Sequence, residues 1–164
     1  MENILLKRKK LRIPQYNYSN EGLYFITICT QNRKCILSKI IYNDDTEIPQ
    51  LILSNYGKIA EKYINSINSF YKNVQIINYV IMPNHIHLIC EIKKSINNNS
   101  KHPSKMRIPM LVSTFKRFTN KESKLKIWQR DYYEHIIRNE KEYIAIEQYI
   151  QNNPYNWKKD KYYN

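Results

Sequence analysis

At 164 residues the chain has room for one domain, and an apolar content of 42% with 13% aromatics is enough to build a core. Two glycines and six prolines exclude a loop-rich or low-complexity protein. With 27 basic residues against 14 acidic ones the formal charge is +13, which points to a polyanionic partner, nucleic acid being the commonest.

Residues 1–20 are basic and polar and read as an N-terminal arm, in which Lys7, Arg8, Lys9, Lys10 and Arg12 are candidate phosphate contacts. Its Ile4-Leu5-Leu6 run is too short for a signal peptide. No later stretch is long enough to span a membrane, so a cytoplasmic protein without membrane contact is expected. Residues 23–30 form a β-branched and aromatic run typical of a buried strand. Residues 31–34 read as a turn, 35–37 as a short returning strand, and 43–47 with Pro49 as a surface loop. Ser54 is a plausible N-cap for a helix to about residue 71, with Ile59, Tyr63, Ile64 and Ile67 on its apolar face. Two strands follow, 74–82 and 85–92, separated by the breaker Pro83-Asn84. Residues 93–109, rich in Lys, Asn and Ser, read as a basic loop.

A second helix is expected over 110–121, with Leu111, Phe115 and Phe118 inward and Lys116, Arg117 and Lys121 outward. Residues 126–130 read as a short strand or extended piece and 132–138 as irregular, before a last helix over 140–153 that Pro154 ends. Tyr143, Ile146 and Ile150 mark the apolar face of that helix. Cys29, Cys35 and Cys90 offer no Cys-x-x-Cys pair, and an odd number cannot all pair internally, so neither a disulfide framework nor a cysteine-based zinc site is expected. The order of elements implies an α+β, ferredoxin-like split βαβ domain. Its antiparallel sheet would carry helices on one face, with an extra C-terminal helix appended. The domain is expected to run over 21–158, with 159–164 a basic tail.

Alternation along the strand Met82-Pro83-Asn84-His85-Ile86-His87-Leu88-Ile89-Cys90-Glu91-Ile92 puts Ile86, Leu88, Cys90 and Ile92 toward the core. His85 and His87 then share the other, open face, side by side and close enough for one metal ion. Only four histidines occur in the chain, and two of them fall on this one strand face. His102 and His135, each by itself, read as incidental or structural. Two imidazoles leave a divalent ion positions for substrate oxygens, and a third protein ligand would have to come from elsewhere. On the last helix Tyr149 and Asn153 are four apart and so lie on one face. A tyrosine there is a candidate nucleophile, although spacing alone does not single it out among 15 tyrosines.

Four strings in order resemble the REP-associated tyrosine transposases, relatives of the small single-tyrosine HUH (IS200-like) insertion-sequence transposases. They are Tyr24-Phe25-Ile26-Thr27-Ile28-Cys29-Thr30-Gln31-Asn32-Arg33, Val80-Ile81-Met82-Pro83-Asn84-His85-Ile86-His87-Leu88, Trp128-Gln129-Arg130-Asp131-Tyr132-Tyr133-Glu134-His135-Ile136-Ile137-Arg138 and Tyr149-Ile150-Gln151-Asn152-Asn153-Pro154. The resemblance implies a ferredoxin-like fold and cleavage of single-stranded DNA at structured repeats, with Mg2+ or Mn2+. It places the HUH pair on His85 and His87, the nucleophile on Tyr149 and a further metal ligand on Asn153. Tyr143, six residues from Tyr149, is the rival nucleophile and reads better as core.

On this reading the partner is single-stranded or hairpin DNA, and Lys116, Arg117 and Arg130 join the arm and the basic loop as candidate phosphate contacts. Trp128, Tyr132 and Tyr133 are candidates for base stacking or core. Monomers and homodimers both occur among such relatives, and the residues do not choose between them. The chain ends at Asn164, so target choice is expected to rest on the arm or on a partner subunit. Two other readings stand beside the enzyme: a domesticated, non-cleaving binder of hairpin DNA or RNA, and an RNA-binding module of similar fold.

Overall fold

A computed structural model describes residues 21–43, 46–93 and 107–163. The expectations for the arm, including Lys7, Arg8, Lys9, Lys10 and Arg12, and for 94–106 fall outside the described residues. The elements in chain order are β1 (Gly22–Cys29), β2 (Ser38–Asn43), β3 (Thr46–Leu53), α1 (Asn55–Phe70), β4 (Val74–Ile81), β5 (His85–Ile92), α2 (Arg107–Ser123), β6 (Tyr133–Ile137) and α3 (Glu140–Asn152).

Four strands form one antiparallel sheet in the order β4-β5-β1-β6. The hairpin partners β4 and β5 sit beside β1, and β6 closes its other edge, which is the ferredoxin-like split βαβ arrangement. One sheet face carries Tyr24, Ile26 and Ile28 of β1 and Ile86, Leu88, Cys90 and Ile92 of β5, all buried with α1 and α2 in the main core. The opposite face carries Phe25, Ile89 and Ile137 under Ile150 of α3, with Tyr143 and Ile146 packed against them. Because both faces are covered, β5 is apolar or buried along nearly its whole length rather than half solvated.

Local chemistry explains the helix starts. Ser54 caps α1, its hydroxyl accepting from the Gly57 amide at 3.2 Å while donating to the Ile36 carbonyl. The buried face of α1 is Gly57, Ala60, Ile64 and Ile67, rotated from the expected one so that Ile59 lies at its edge. Gly57 sets that rotation: a Cβ there would stand 2.1 Å from the Leu37 carbonyl oxygen, so backbone meets backbone. α2 begins at Arg107, earlier than expected, since Pro109 sits in the first turn, where its missing N–H costs nothing. Arg107, expected in the basic loop, is buried and donates to the Lys93 carbonyl at 2.8 Å. Phe118, expected inward, is 38% exposed and stacks on Tyr63 instead. Asn139 caps α3 by accepting from the Glu142 amide at 2.9 Å, and Glu142 reaches back to the Arg138 amide and to His135. His135 is thus structural, as anticipated.

Three stretches differ from the sequence expectation. Of the loop expected over 43–47 with Pro49, Asn43 belongs to β2 and residues 46, 47 and 49 belong to β3, paired with β2 as a separate hairpin in which Pro49 is buried. Neither strand has a third neighbour among the described residues, so a proline costs little ladder bonding there. Residues 35–37 form no strand; the Leu37 amide instead donates to the Pro83 carbonyl at 2.9 Å, tying this loop to the break before β5. The stretch expected to be irregular contains β6, an edge strand whose Glu134 and His135 mask its pattern, while of 126–130 only Trp128 bridges, to Thr30. Trp128 is core, 2% exposed, with its indole N–H donating to Thr119 Oγ1 at 2.6 Å. Cys90 is a buried free thiol, and among the described residues no helix is long and apolar enough to cross a membrane.

Candidate active site and metal centre

His85 and His87 stand side by side on one face of β5, ring centroids 4.4 Å apart, as the alternation requires. That face is not open. The two histidines are 0% and 1% exposed, because α3 crosses this side of the sheet and residues 157–162 fold back over it. The rings of Trp157 and Tyr162 lie 6.0 and 4.6 Å from the His85 ring. Residues 159–162 of the expected basic tail 159–164 therefore contribute to the site, with Tyr162 itself buried.

Burial penalises the charged imidazolium, and both histidines respond. His85 is pushed down to about 4, and His87 well below its ordinary value, first by burial and then by its neighbour His85. Both rings are neutral near pH 7, the state in which a ring nitrogen can ligate a metal. His85 Nδ1 lies 2.8 Å from Asn84 Oδ1, and His87 Nδ1 lies 2.8 Å from Thr27 Oγ1, its cross-strand partner on β1. Asn84 is fixed from the turn that follows β1: its Nδ2 donates at 3.3 Å to the carbonyl of Arg33, a residue with φ of 53°.

The last turn of α3 delivers Tyr149 and Asn153 to the same place. The Tyr149 hydroxyl is 3.3 Å from His87 Nε2 and 3.3 Å from Asp160 Oδ2. Phe25 supports its ring edge-on at 6.1 Å. Burial and the adjacent Asp160 carboxylate raise the phenol well above its ordinary value, so it is protonated at neutral pH. Asn153, 1% exposed, donates from Nδ2 to Asp160 Oδ2 at 2.8 Å. Tyr143 lies in the apolar layer under α3, its hydroxyl donating to Glu147 at 3.1 Å, away from the histidines.

Two buried polar atoms here have no hydrogen-bond partner: His85 Nε2 and Asn153 Oδ1. Buried acceptors are seldom left so, and an unpaired imidazole nitrogen near an unpaired amide oxygen suits a cation. His85, His87 and Asp160 also bring one ligand atom each to within 4.8 Å of one another. The donors on offer are thus two imidazole nitrogens, an amide oxygen and a carboxylate oxygen, a set that fits a divalent metal. A cleft of about 510 Å³ opens beside it, lined by Tyr149, Asn153, Asp160, Gln148, Lys159 and Lys161.

Sequence reasoning missed Asp160, Asn84 and Thr27. The available signal for Asp160 was a single acid within Lys158-Lys159-Asp160-Lys161, in a segment read as a tail. Among the candidate phosphate contacts, Arg117 and Arg130 are exposed. Lys116, expected outward, is half-buried and donates to the carbonyls of Gln129, Arg130 and Asp131 at 2.9–3.1 Å. Its ammonium holds the loop after α2, and burial lowers it to about 8.

The profile of the family described as "Transposase IS200 like" matches residues 19–153. An uncharacterized protein of Haemophilus influenzae is 38% identical, the match covering 95% of this chain and 93% of that protein. A second protein of that organism, named "Putative REP-associated tyrosine transposase", is 27% identical over 84% of this chain and 73% of its own length. Among solved structures, the REP-associated tyrosine transposase bound to a REP hairpin superposes with a TM-score of 0.59 at 21% identity, covering 87% of this chain and 72% of that one, a likeness of fold. With the profile spanning β1 to the end of α3, and with the histidine strand and tyrosine helix inside it, this chain belongs to the IS200-like transposase family and is a relative of the REP-associated tyrosine transposases.

Proposed function

We propose that this chain is a metal-dependent single-stranded DNA endonuclease and strand transferase that acts on hairpin or REP-like repeats through a covalent 5′-phosphotyrosine intermediate on Tyr149. The observation that carries the reading is the Tyr149 hydroxyl, 3.3 Å from His87 Nε2, beside the two unpartnered buried acceptors His85 Nε2 and Asn153 Oδ1. His85, His87 and Asn153 would hold Mg2+ or Mn2+, with Asp160 in reach of the same position. Such an ion, when bound, would polarise the scissile phosphate and offset charge on its oxygens.

The chain's own residues supply the rest. The Tyr149 oxygen attacks phosphorus and the P–O3′ bond breaks, leaving a 3′-hydroxyl on one strand end and the 5′-phosphate on the tyrosine. The phenol must lose its proton first, and the Asp160 carboxylate at 3.3 Å is the nearest anion to take it. Attack by a 3′-hydroxyl on the phosphotyrosine reverses the bond changes, rejoins DNA without an external energy source and returns the proton. Phe25 and His87 keep the ring in line on the sheet side. The cleft beside Tyr149, with Lys159 and Lys161 on its wall, suits an unpaired strand with its phosphates. The solved relative's REP hairpin supports hairpin DNA as the partner.

Covalent trapping tests this. Labelled single strands from repeats flanking the gene are incubated with protein and Mn2+ or Mg2+, then run on a denaturing gel. A protease-sensitive adduct lost with EDTA and lost in Tyr149→Phe is expected. Binding without an adduct under either metal would refute the enzyme and leave a hairpin-binding protein. An adduct that survives Tyr149→Phe but not Tyr143→Phe would move the nucleophile.

A further inference from the structure

We infer that Asn84 is the positioning residue of this metal centre: its side-chain amide sets the tautomer of His85 and ties that ligand to the C-terminal segment at Tyr162. The inference rests on the metal-centre reading above and says what holds the ligand atoms in place.

Asn84 is completely buried between β4 and β5. Its Nδ2 donates to the Tyr162 carbonyl at 2.7 Å and to the Arg33 carbonyl at 3.3 Å. Two carbonyl acceptors fix the orientation of an amide, because the flipped form would set its oxygen against both of theirs. Asn84 Oδ1 is thereby held 2.8 Å from His85 Nδ1. An amide oxygen only accepts, so Nδ1 must carry the proton of the neutral ring and Nε2 must carry the lone pair. That Nε2 is the buried atom without a hydrogen-bond partner.

The same logic operates a second time. Asn153 Nδ2 donates to Asp160 Oδ2 at 2.8 Å, which assigns the amide nitrogen and leaves Oδ1 as the other buried, unpartnered atom. Asp160 is itself held by the Tyr162 amide, which donates to its Oδ1 at 2.7 Å. Residues 160–162 therefore anchor both amides, one through a backbone carbonyl and one through a carboxylate. Each amide turns a side chain with two possible presentations into one fixed acceptor, the service that outer hydrogen bonds give to ligands in metal sites. The family match ends at residue 153, so this clamp joins the histidine strand to residues beyond it.

A side chain that only fills the turn before β5 would not govern which nitrogen of His85 is protonated, and that difference is measurable. Long-range ¹H–¹⁵N NMR of the metal-free full chain should show His85 as the Nδ1–H tautomer. An Nε2–H signal in the wild type would overturn the inference without any variant. In Asn84→Ala the ring should lose its tautomer preference and Mn2+ affinity by calorimetry should fall about 10- to 100-fold. Asn84→Asp keeps an acceptor opposite Nδ1 but sets a carboxylate oxygen against the Tyr162 and Arg33 carbonyls, so it should retain the Nδ1–H tautomer while losing Mn2+ affinity. Asn84→Ala with unchanged tautomer and unchanged Mn2+ affinity would overturn the inference alone. A wild type that takes up no Mn2+ would overturn the metal-centre reading and the positioning role with it.

Discussion

Lowering the pH from 7 to 5 in EDTA should destabilise the metal-free protein by an amount that its buried histidines set. His85 falls from the usual 6.5 to about 4 in the fold, and His87 moves the same way. Both folded values lie below the unfolded one, so between about pH 4 and 6.5 the unfolded chain holds more protons than the folded one. Acid in that window therefore favours unfolding, and stability returns as pH rises. For His85 alone the difference between pH 7 and pH 5 is about 2 kcal/mol, at 1.36 kcal/mol per pKa unit. In a chain of this size that corresponds to a fall in Tm of roughly 4–8 °C. The carboxylates lowered by partners, Glu122 and Glu142, start from an ordinary value of 4.5 and contribute mainly below pH 5, outside the interval compared. Thermal melts at both pH values, on wild type and His85→Gln, isolate the effect. The variant should lose less on acidification, by about 2 kcal/mol. Equal losses in the two proteins would refute the claim that burial keeps His85 neutral.

Metal should protect the fold: Mn2+ at 100 times its Kd should stabilise wild type at pH 7 by about 2.7 kcal/mol, and His85→Gln far less, read as a Tm shift that EDTA reverses. Gly57→Ala, which in an exposed helix would gain about 1 kcal/mol, should instead destabilise in urea unfolding, because its Cβ would meet the Leu37 carbonyl. Thr119→Val strands the buried indole N–H of Trp128 and should cost about 1–3 kcal/mol by the same assay. Arg117→Ala and Arg130→Ala should each weaken hairpin DNA binding and reduce the salt slope by about 1, measured by fluorescence anisotropy across salt concentrations. Lys116→Met should lower stability while leaving that slope unchanged, because its ammonium is held by three carbonyls.

Elements with strong local signals are legible in the residues themselves. The β-branched run of β1, the Ser54 cap and the alternation of β5 each depend on neighbours within a few residues, and each appears where expected. The hairpin β2–β3 and the edge strand β6 carry no such signal. Acidic and polar residues interrupt the first, and Glu134 with His135 interrupts the second, so pairing rather than pattern defines them. The outward expectation for Lys116 fails for a related reason: helical spacing assigns a face, but not what another loop lays against it.

The sequence by itself determined that His85 and His87 share a strand face and that Tyr149 and Asn153 share a helix face, because strand and helix periodicities are local properties of the chain. Only the tertiary structure decided that these two faces meet. It also decided that the histidines are sealed rather than open, since their cover comes from α3 and from residues 157–162, more than fifty positions away. Asp160 enters the site by that route, and so does the carbonyl of Tyr162 that orients Asn84. A backbone carbonyl carries no residue identity, so no reading of side chains could have found it. Burial and hydrogen-bond partnership belong to the assembled fold, and with them come the neutral histidines and the unpaired acceptors on which the chemistry of this site depends.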